Sequence, residues 1–167
     1  MSLSLLPKWM TPSVTDISPA FLEAQGIRLL MLDFDNTIVP YTTNVPTADM
    51  KIWLQCMVRV GVKLCVVSNT HKRRPVDFCK KYGIPCITHA KKPGGKGIRE
   101  YLELFDLEPQ QCALAGDQIF TDTLGANLAG VKSILVKPIN NHNFWLKARH
   151  VLELPFIFAA RNRRIEK

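Results

Sequence analysis

The chain has no apolar run near the roughly 18 residues that a membrane-crossing helix needs, so it is not read as a helical membrane protein. Its first ten residues lack the basic start and small-residue cleavage site of a secretory signal, and a cytoplasmic protein is expected. There is no Cys-x-x-C pair. Cys56, Cys65, Cys79, Cys86 and Cys112 are odd in number and scattered, which argues against a disulfide framework or a zinc site. His71, His89, His142 and His150 show no metal-ligand spacing either. The stretch Pro93-Gly94-Gly95-Lys96-Gly97 lacks the Walker spacing and a following Ser or Thr, so it reads as a loop entering a helix. There is no internal repeat and no low-complexity linker, so residues 1–167 are expected to form one domain. Acid is scarce too: 14 Asp and Glu face 22 Lys and Arg, a net charge of +8. That excess speaks to partners, not to fold. Basic residues gather in Lys72-Arg73-Arg74, Lys80-Lys81, Lys91-Lys92 and 161–167. Solvated surface, an anionic membrane and RNA all suit such runs.

What the chain does have is a set of short apolar segments that end in polar residues. Residues 29–37 read Leu-Leu-Met-Leu-Asp-Phe-Asp-Asn-Thr, an apolar run broken by two carboxylates. Such a run suits a strand buried on both faces of a parallel sheet. Strand alternation would point Asp33 and Asp35 the same way at its C-terminal end, the ligand edge of open α/β sheets. Two like charges that close are costly without a cation or a shared proton.

The remaining elements follow in order. Ser18-Pro19 through Gly26 predicts a short capped helix. A strand over 28–33, a helix over 46–60 and a strand over 63–68 come next. A helix over 75–82, a strand over 86–89, a helix over 95–105 and a strand over 113–116 continue the series. A helix over 122–128 and a strand over 133–136 complete it. The expectation is an α/β, doubly wound (Rossmann-like) parallel sheet of about five strands. Its strands would deliver Asp33 and Asp35, Ser68 and Asn69, and Asp117 with Asp122 to one edge, with Lys92 in a loop nearby. Taken singly these residues are ordinary: Ser68 suits a turn, Lys92 a surface, Asp117 a helix cap.

Together they form a pattern. Asp33-Phe34-Asp35-Asn36-Thr37, then Ser68, then Lys92-Pro93, then Gly116-Asp117 through Thr121-Asp122 resemble the four motifs of the haloacid dehalogenase superfamily of phosphohydrolases. The wording Asp-Asn-Thr, Ser-Asn and Gly-Asp-Gln-x-x-Thr-Asp is closer still to the YqeG-like subgroup. That subgroup is related to the mitochondrial and plastid phosphatidylglycerophosphate phosphatases. The resemblance spans about residues 27–138.

The resemblance implies that Asp33 attacks phosphorus and forms an aspartyl-phosphate, while Asp35 serves as acid and then as base. It implies Mg²⁺ held by Asp33, Asp117 and the backbone carbonyl of Asp35, with Asp122 acting on water or a neighbouring group. Thr37, Ser68, Asn69 and Lys92 would contact the phosphoryl group. Lys91 is the rival to Lys92, and the superfamily pattern favours the lysine directly before proline.

The intervals from Thr37 to Ser68 and from Ser68 to Lys92 hold little more than one helix and one strand each. No superfamily cap domain fits, so the site is expected to be capless and open. An open site suits a phosphate on something too large to enclose. A phosphorylated lipid, phosphatidylglycerophosphate above all, is the leading substrate. A phosphoprotein or small-molecule phosphatase, or a basic RNA- or ribosome-associated protein that retains the fold, is the alternative. The apolar and basic segment 144–164 suits either a helix closing the sheet or peripheral contact with an anionic membrane.

Overall fold

The computed structural model describes residues 3–140 and 144–165. Within it the strands are β1 (Trp9–Thr11), β2 (Leu29–Leu32), β3 (Lys63–Val67), β4 (Cys86–Ile87), β5 (Cys112–Gly116) and β6 (Lys132–Val136). The helices are α1 (Pro19–Ala24), α2 (Ala48–Arg59), α3 (Arg74–Tyr82), α4 (Lys96–Leu104), α5 (Leu124–Ala129) and α6 (Phe144–Ala159). All six strands are parallel and lie in the order β1-β6-β5-β2-β3-β4.

The central strand shows why the sheet is covered twice. Alternation along β2 sends Leu30 and Leu32 into one core, with Met50, Trp53, Leu54 and Met57 of α2 and Phe78 of α3. Leu29 and Met31 enter the other core, with Ile98 and Leu102 of α4 and Ala126 and Ala129 of α5. Each fully buried aliphatic side chain contributes about 1.5–3 kcal/mol, so a one-residue slip of β2 would exchange the two sets at great cost. Local signals agree with the packing. The Ser18 hydroxyl accepts the Phe21 N–H at the start of α1, and Thr47 accepts the Met50 N–H at the start of α2. Gly83, at φ 65°, closes α3 in the left-handed region that glycine enters without strain.

Register then aligns the strand ends. Leu32 lies opposite both Val66 and Ala115, so the residues after β2, β3 and β5 meet at one edge. Neither interval between Asp33, Ser68 and Lys92 holds a cap domain. The first carries α2 and β3, the second α3 and β4.

Three elements depart from expectation. A sixth strand, β1, pairs with β6 at the edge of the sheet, and its three residues are too few to show a period. The third expected strand stops at Ile87, because His89 turns into positive φ, at 55°. The expected helix over 122–128 begins earlier, as a wide π-helical turn over Ile119–Thr123 that precedes α5. In that turn the Gln118 carbonyl accepts from both Asp122 N and Thr123 N, which swings Asp122 back toward β5.

The segment 144–164 contains α6, and α6 is turned inside out. It buries Glu153, whose carboxylate accepts the Ile119 N–H at 2.9 Å, and packs Phe156 edge-on against Phe120. Outward it presents Val151, Leu152, Leu154 and Phe158, 60, 66, 46 and 66% exposed. The segment therefore closes the sheet and still shows solvent an apolar face. His142 and the side chains of Phe144, Trp145 and Leu146 lie outside the described residues.

Candidate active site

The site begins where β2 stops. Asp33, the first residue past Leu32, anchors its N–H to the Ala115 carbonyl of β5 at 2.9 Å, so its position is an extension of the sheet. Phe34 turns inward, fully buried against Phe78, and Asp35 turns back out. Asn36 then adopts positive φ, at 68°, a conformation that Asn tolerates better than most residues. Its backbone carbonyl accepts the Ile139 N–H at 3.0 Å, while its side chain donates to the Asn140 carbonyl at 2.7 Å and accepts the Asn140 N–H at 2.8 Å. The loop after β2 is thereby clasped to the loop after β6.

Lys92 is the hub. Its buried ammonium donates to Asp33 Oδ1 at 2.7 Å, Asp122 Oδ1 at 2.6 Å and the Val67 carbonyl at 2.8 Å. Lys91 is exposed, so geometry separates the two candidates. Asn69 fixes the hub: its amide donates to the Lys92 carbonyl and accepts the Lys92 N–H, both at 2.8 Å. Asn69 thus positions Lys92 here. Asp122 is likewise held at both oxygens, by Lys92 and by the Gln118 N–H at 3.1 Å. Gly116 makes room for it, since a Cβ there would collide with the Asp122 carboxylate.

Asp117 is bound more loosely. Thr37 donates to its Oδ1 at 3.5 Å and Arg149 of α6 approaches its Oδ2 at 3.4 Å. Ser68 is buried at the end of β3, one residue beyond the Val67 carbonyl that Lys92 uses, and its hydroxyl accepts the Thr70 N–H. Asp35 stands apart from the acidic cluster and pairs with Arg74 at 2.7 Å. Arg74 also donates to Asn44 and to the carbonyls of Pro40 and Thr43, so one guanidinium ties α3 to the loop that carries the acid.

Asp33, Asp117 and Asp122 offer carboxylate oxygens that all lie within 4.8 Å of one another. Burial, opposed by Lys92, pushes Asp33 up to about 7. Burial together with Asp33 and Asp122 pushes Asp117 up to about 8. Asp35 is raised by burial against the pull of Arg74. Burial works against the charge on Lys92, but Asp122 and Asp33 hold its pKa above the ordinary range. Three acids and one ammonium in a dry pocket leave excess negative charge, which a hard cation with oxygen ligands would relieve. Asp33 and the loosely held Asp117 suit that ion, and Asp122 suits the role of strut beneath Lys92.

Four contributors were not anticipated from the sequence. Arg74 sat inside a basic run, and Arg149 and Glu153 sat inside the segment read as amphipathic. Tyr41 also lies close to the acids: burial, Asp117 and Asp33 push its phenol up to about 12.

The profile of the family described as "Mitochondrial PGP phosphatase" matches residues 2–140. The chain belongs to that family. It is a phosphatase. Among curated proteins this PGP phosphatase family member is 34% identical over 134 residues to the probable phosphatase YqeG of Bacillus subtilis, covering 80% of this chain and 78% of that one. It is 29% identical over 146 residues to the mitochondrial phosphatidylglycerophosphatase of Saccharomyces cerevisiae, covering 78% and 77%. It is 28% identical over 144 residues to the chloroplastic phosphatidylglycerophosphate phosphatase 1 of Chlamydomonas reinhardtii, covering 80% of this chain but 53% of that one. Solved structures share the fold. A putative haloacid dehalogenase family hydrolase from Streptomyces avermitilis superposes with TM-score 0.57 at 13% identity, covering 75% of this chain and 79% of that one. The 3-deoxy-D-manno-octulosonate 8-phosphate phosphatase of Moraxella catarrhalis, solved with magnesium and phosphate, superposes with TM-score 0.51 at 17% identity, covering 84% and 91%.

Proposed function

We propose that this family member is a Mg²⁺-dependent phosphomonoesterase that works through an aspartyl-phosphate on Asp33, with phosphatidylglycerophosphate as its substrate. The observation that carries the reading is Asp33 at the open edge of the sheet, 2.7 Å from the Lys92 ammonium. A carboxylate oxygen of Asp33 attacks phosphorus, and the bond from phosphorus to the lipid alkoxide breaks. Asp35 hands its proton to that alkoxide, then takes one from the water that attacks the aspartyl-phosphate, so inorganic phosphate leaves and Asp33 is restored. Burial raises the pKa of Asp35 against the pull of Arg74, the direction that suits an acid, and Arg74 holds its carboxyl in place. Lys92 offsets charge on Asp33 and on the incoming phosphoryl oxygens, while Ser68 offers a hydroxyl at the same edge. Mg²⁺, held by Asp33, Asp117 and the Asp35 carbonyl, would neutralise phosphoryl charge when bound.

The lipid part of the reading draws on the names of two relatives and on α6. No helix among the described residues is long and apolar enough to cross a membrane. A helix that buries charge and exposes Val151, Leu152, Leu154 and Phe158 instead suits an interface. Of the terminal arginines, Arg161 stacks over Phe158 at 4.3 Å, whereas Arg163 donates to the Pro7 carbonyl. Arg161 is therefore the one beside the apolar stripe.

The test is hydrolysis of phosphatidylglycerophosphate in anionic vesicles. The wild-type chain should release phosphate with Mg²⁺ and stop on rigorous chelation, and Asp33→Asn should fold and be inert. Turnover by Asp33→Asn near the wild-type rate would sink the mechanism.

A further inference from the structure

A cavity of about 400 Å³ opens beside Asp117, between β1, the end of β6 and α6. Its volume lies within the range of about 300–1,000 Å³ typical of small-molecule sites. The mechanism above leaves it unused. Its walls are of two kinds. Met10, Leu135 and Ile157 supply aliphatic surface, while Lys137, Arg164 and the imidazole of His150 supply donors. Asp117 is the acid on the wall, and it faces the carboxylate cluster as well. No Phe, Tyr or Trp lines the cavity among the described residues.

The frame is built, not incidental. β1 pairs with β6, and the chain beyond α6 returns alongside β1: Met10 N–H donates to the Arg163 carbonyl at 2.8 Å and Ile165 N–H to the Met10 carbonyl at 2.9 Å. On α6, consecutive residues serve the two places. Arg149 reaches Asp117, and His150 lines the cavity.

We propose that this cavity is a second anion subsite, which holds the phosphodiester of a substrate whose phosphomonoester sits at Asp33. The inference rests on the phosphatidylglycerophosphate reading. In that lipid one glycerol separates the two phosphates, so a diester-binding pocket must adjoin the reacting centre, as this one does through Asp117. Lys137, His150 and Arg164 pair with the diester oxygens, and Met10, Leu135 and Ile157 pack against glycerol carbons. The subsite selects substrates by their second phosphate and compensates for the missing cap, because it orients the substrate without enclosing it.

The experiment compares kcat/KM for three compounds: p-nitrophenyl phosphate, deacylated glycerophosphoglycerol phosphate and short-chain phosphatidylglycerophosphate. Each is tested with wild type, Lys137→Gln and His150→Gln, two variants on different elements whose folding is checked by thermal melting. The preference for the two diester-bearing compounds over p-nitrophenyl phosphate should fall about tenfold or more in each variant, as expected for loss of a hydrogen bond to a charged group. The loss should lie in KM. Short-chain phosphatidylglycerol, which retains only the diester, should inhibit the wild type competitively and the variants weakly. If the wild type hydrolyses the lipid and the preference is unchanged in both variants, the subsite falls and the substrate reading stands. If the wild type hydrolyses only p-nitrophenyl phosphate, the substrate reading falls and takes the subsite with it.

Discussion

Lys92→Met removes the hub of the site while keeping the length of the side chain. The Lys92 ammonium is almost wholly buried and holds Asp33, Asp122 and the Val67 carbonyl at 2.7, 2.6 and 2.8 Å. Breaking a buried pair by deleting one partner typically costs about 3–5 kcal/mol, because a charge is left behind without compensation. For a chain of this length each kcal/mol lowers Tm by about 2–4 °C, which gives a fall of about 6–20 °C near pH 8. The fall should shrink as pH drops. Without the ammonium, which opposes burial in the wild type, Asp33 holds its proton still more tightly in the folded state than in the unfolded chain, so the variant recovers stability as Asp33 becomes neutral. Mg²⁺ should also recover part of it near pH 8, since a divalent ion replaces the lost positive charge. Phosphatase turnover should drop about 100-fold or more, as when an electrostatic stabiliser is removed. Melting curves at two pH values, each with and without Mg²⁺, read all of these effects. A variant that melts with the wild type at both pH values would refute the hub.

Other expectations follow from the same geometry. Gly116→Ala should cost about 1–3 kcal/mol in a denaturant titration and lower turnover, because its methyl displaces Asp122 from beneath Lys92; unchanged turnover would show that Asp122 is no strut. Asp33 at about 7 and Asp117 at about 8 stand above the ordinary 3.8, so the folded state binds protons more tightly than the unfolded chain. The metal-free protein should therefore lose stability as pH rises from about 4 to 8, and Mg²⁺ should raise Tm more at the upper end, where its ligands are ionised. A Mg²⁺ effect that is larger in acid would contradict this. Finally, the protein should co-sediment with anionic vesicles, less so as salt rises, each nearby Arg or Lys contributing about 1 kcal/mol at most. Leu154→Ser with Phe158→Ser should weaken that binding while leaving hydrolysis of p-nitrophenyl phosphate intact, and equal sedimentation of variant and wild type would remove α6 from the interface.

Much of this architecture was legible because a doubly covered parallel sheet imposes apolar runs that stop abruptly. Asp33, Ser68 and Asp117 mark those stops, and the register of β2 against β3 and β5 brings the stops together. β1 was not legible: three residues that pair at a sheet edge carry no period. A run such as Lys72-Arg73-Arg74 looks the same whether it is solvated or turned inward, and only the path of α3 decides that Arg74 meets Asp35. Glu153 was hidden for the opposite reason. A lone acid in an apolar segment marks the outer face of an ordinary helix, whereas α6 turns it inward to receive the Ile119 N–H. Asn69 shows a third limit, since nothing in the sequence links a strand-end amide to the Lys92 backbone that it clasps.

The clasp at Asn36 has a consequence for local opening. β5 lies between β2 and β6, so the three hydrogen bonds from Asn36 to 139–140 bridge strands that are not neighbours and arch over the end of β5. The Asn36 amide stands in for a peptide group, and two stretches of loop become a rung of the sheet in all but name. The Ile139 and Asn140 amides should then exchange with deuterated water as slowly as strand amides, although both residues belong to a connection. Asn36→Gly would remove the two side-chain bonds and free the Asn140 amide, leaving the arch above Asp117 held by the Ile139 amide on the backbone carbonyl of residue 36 alone.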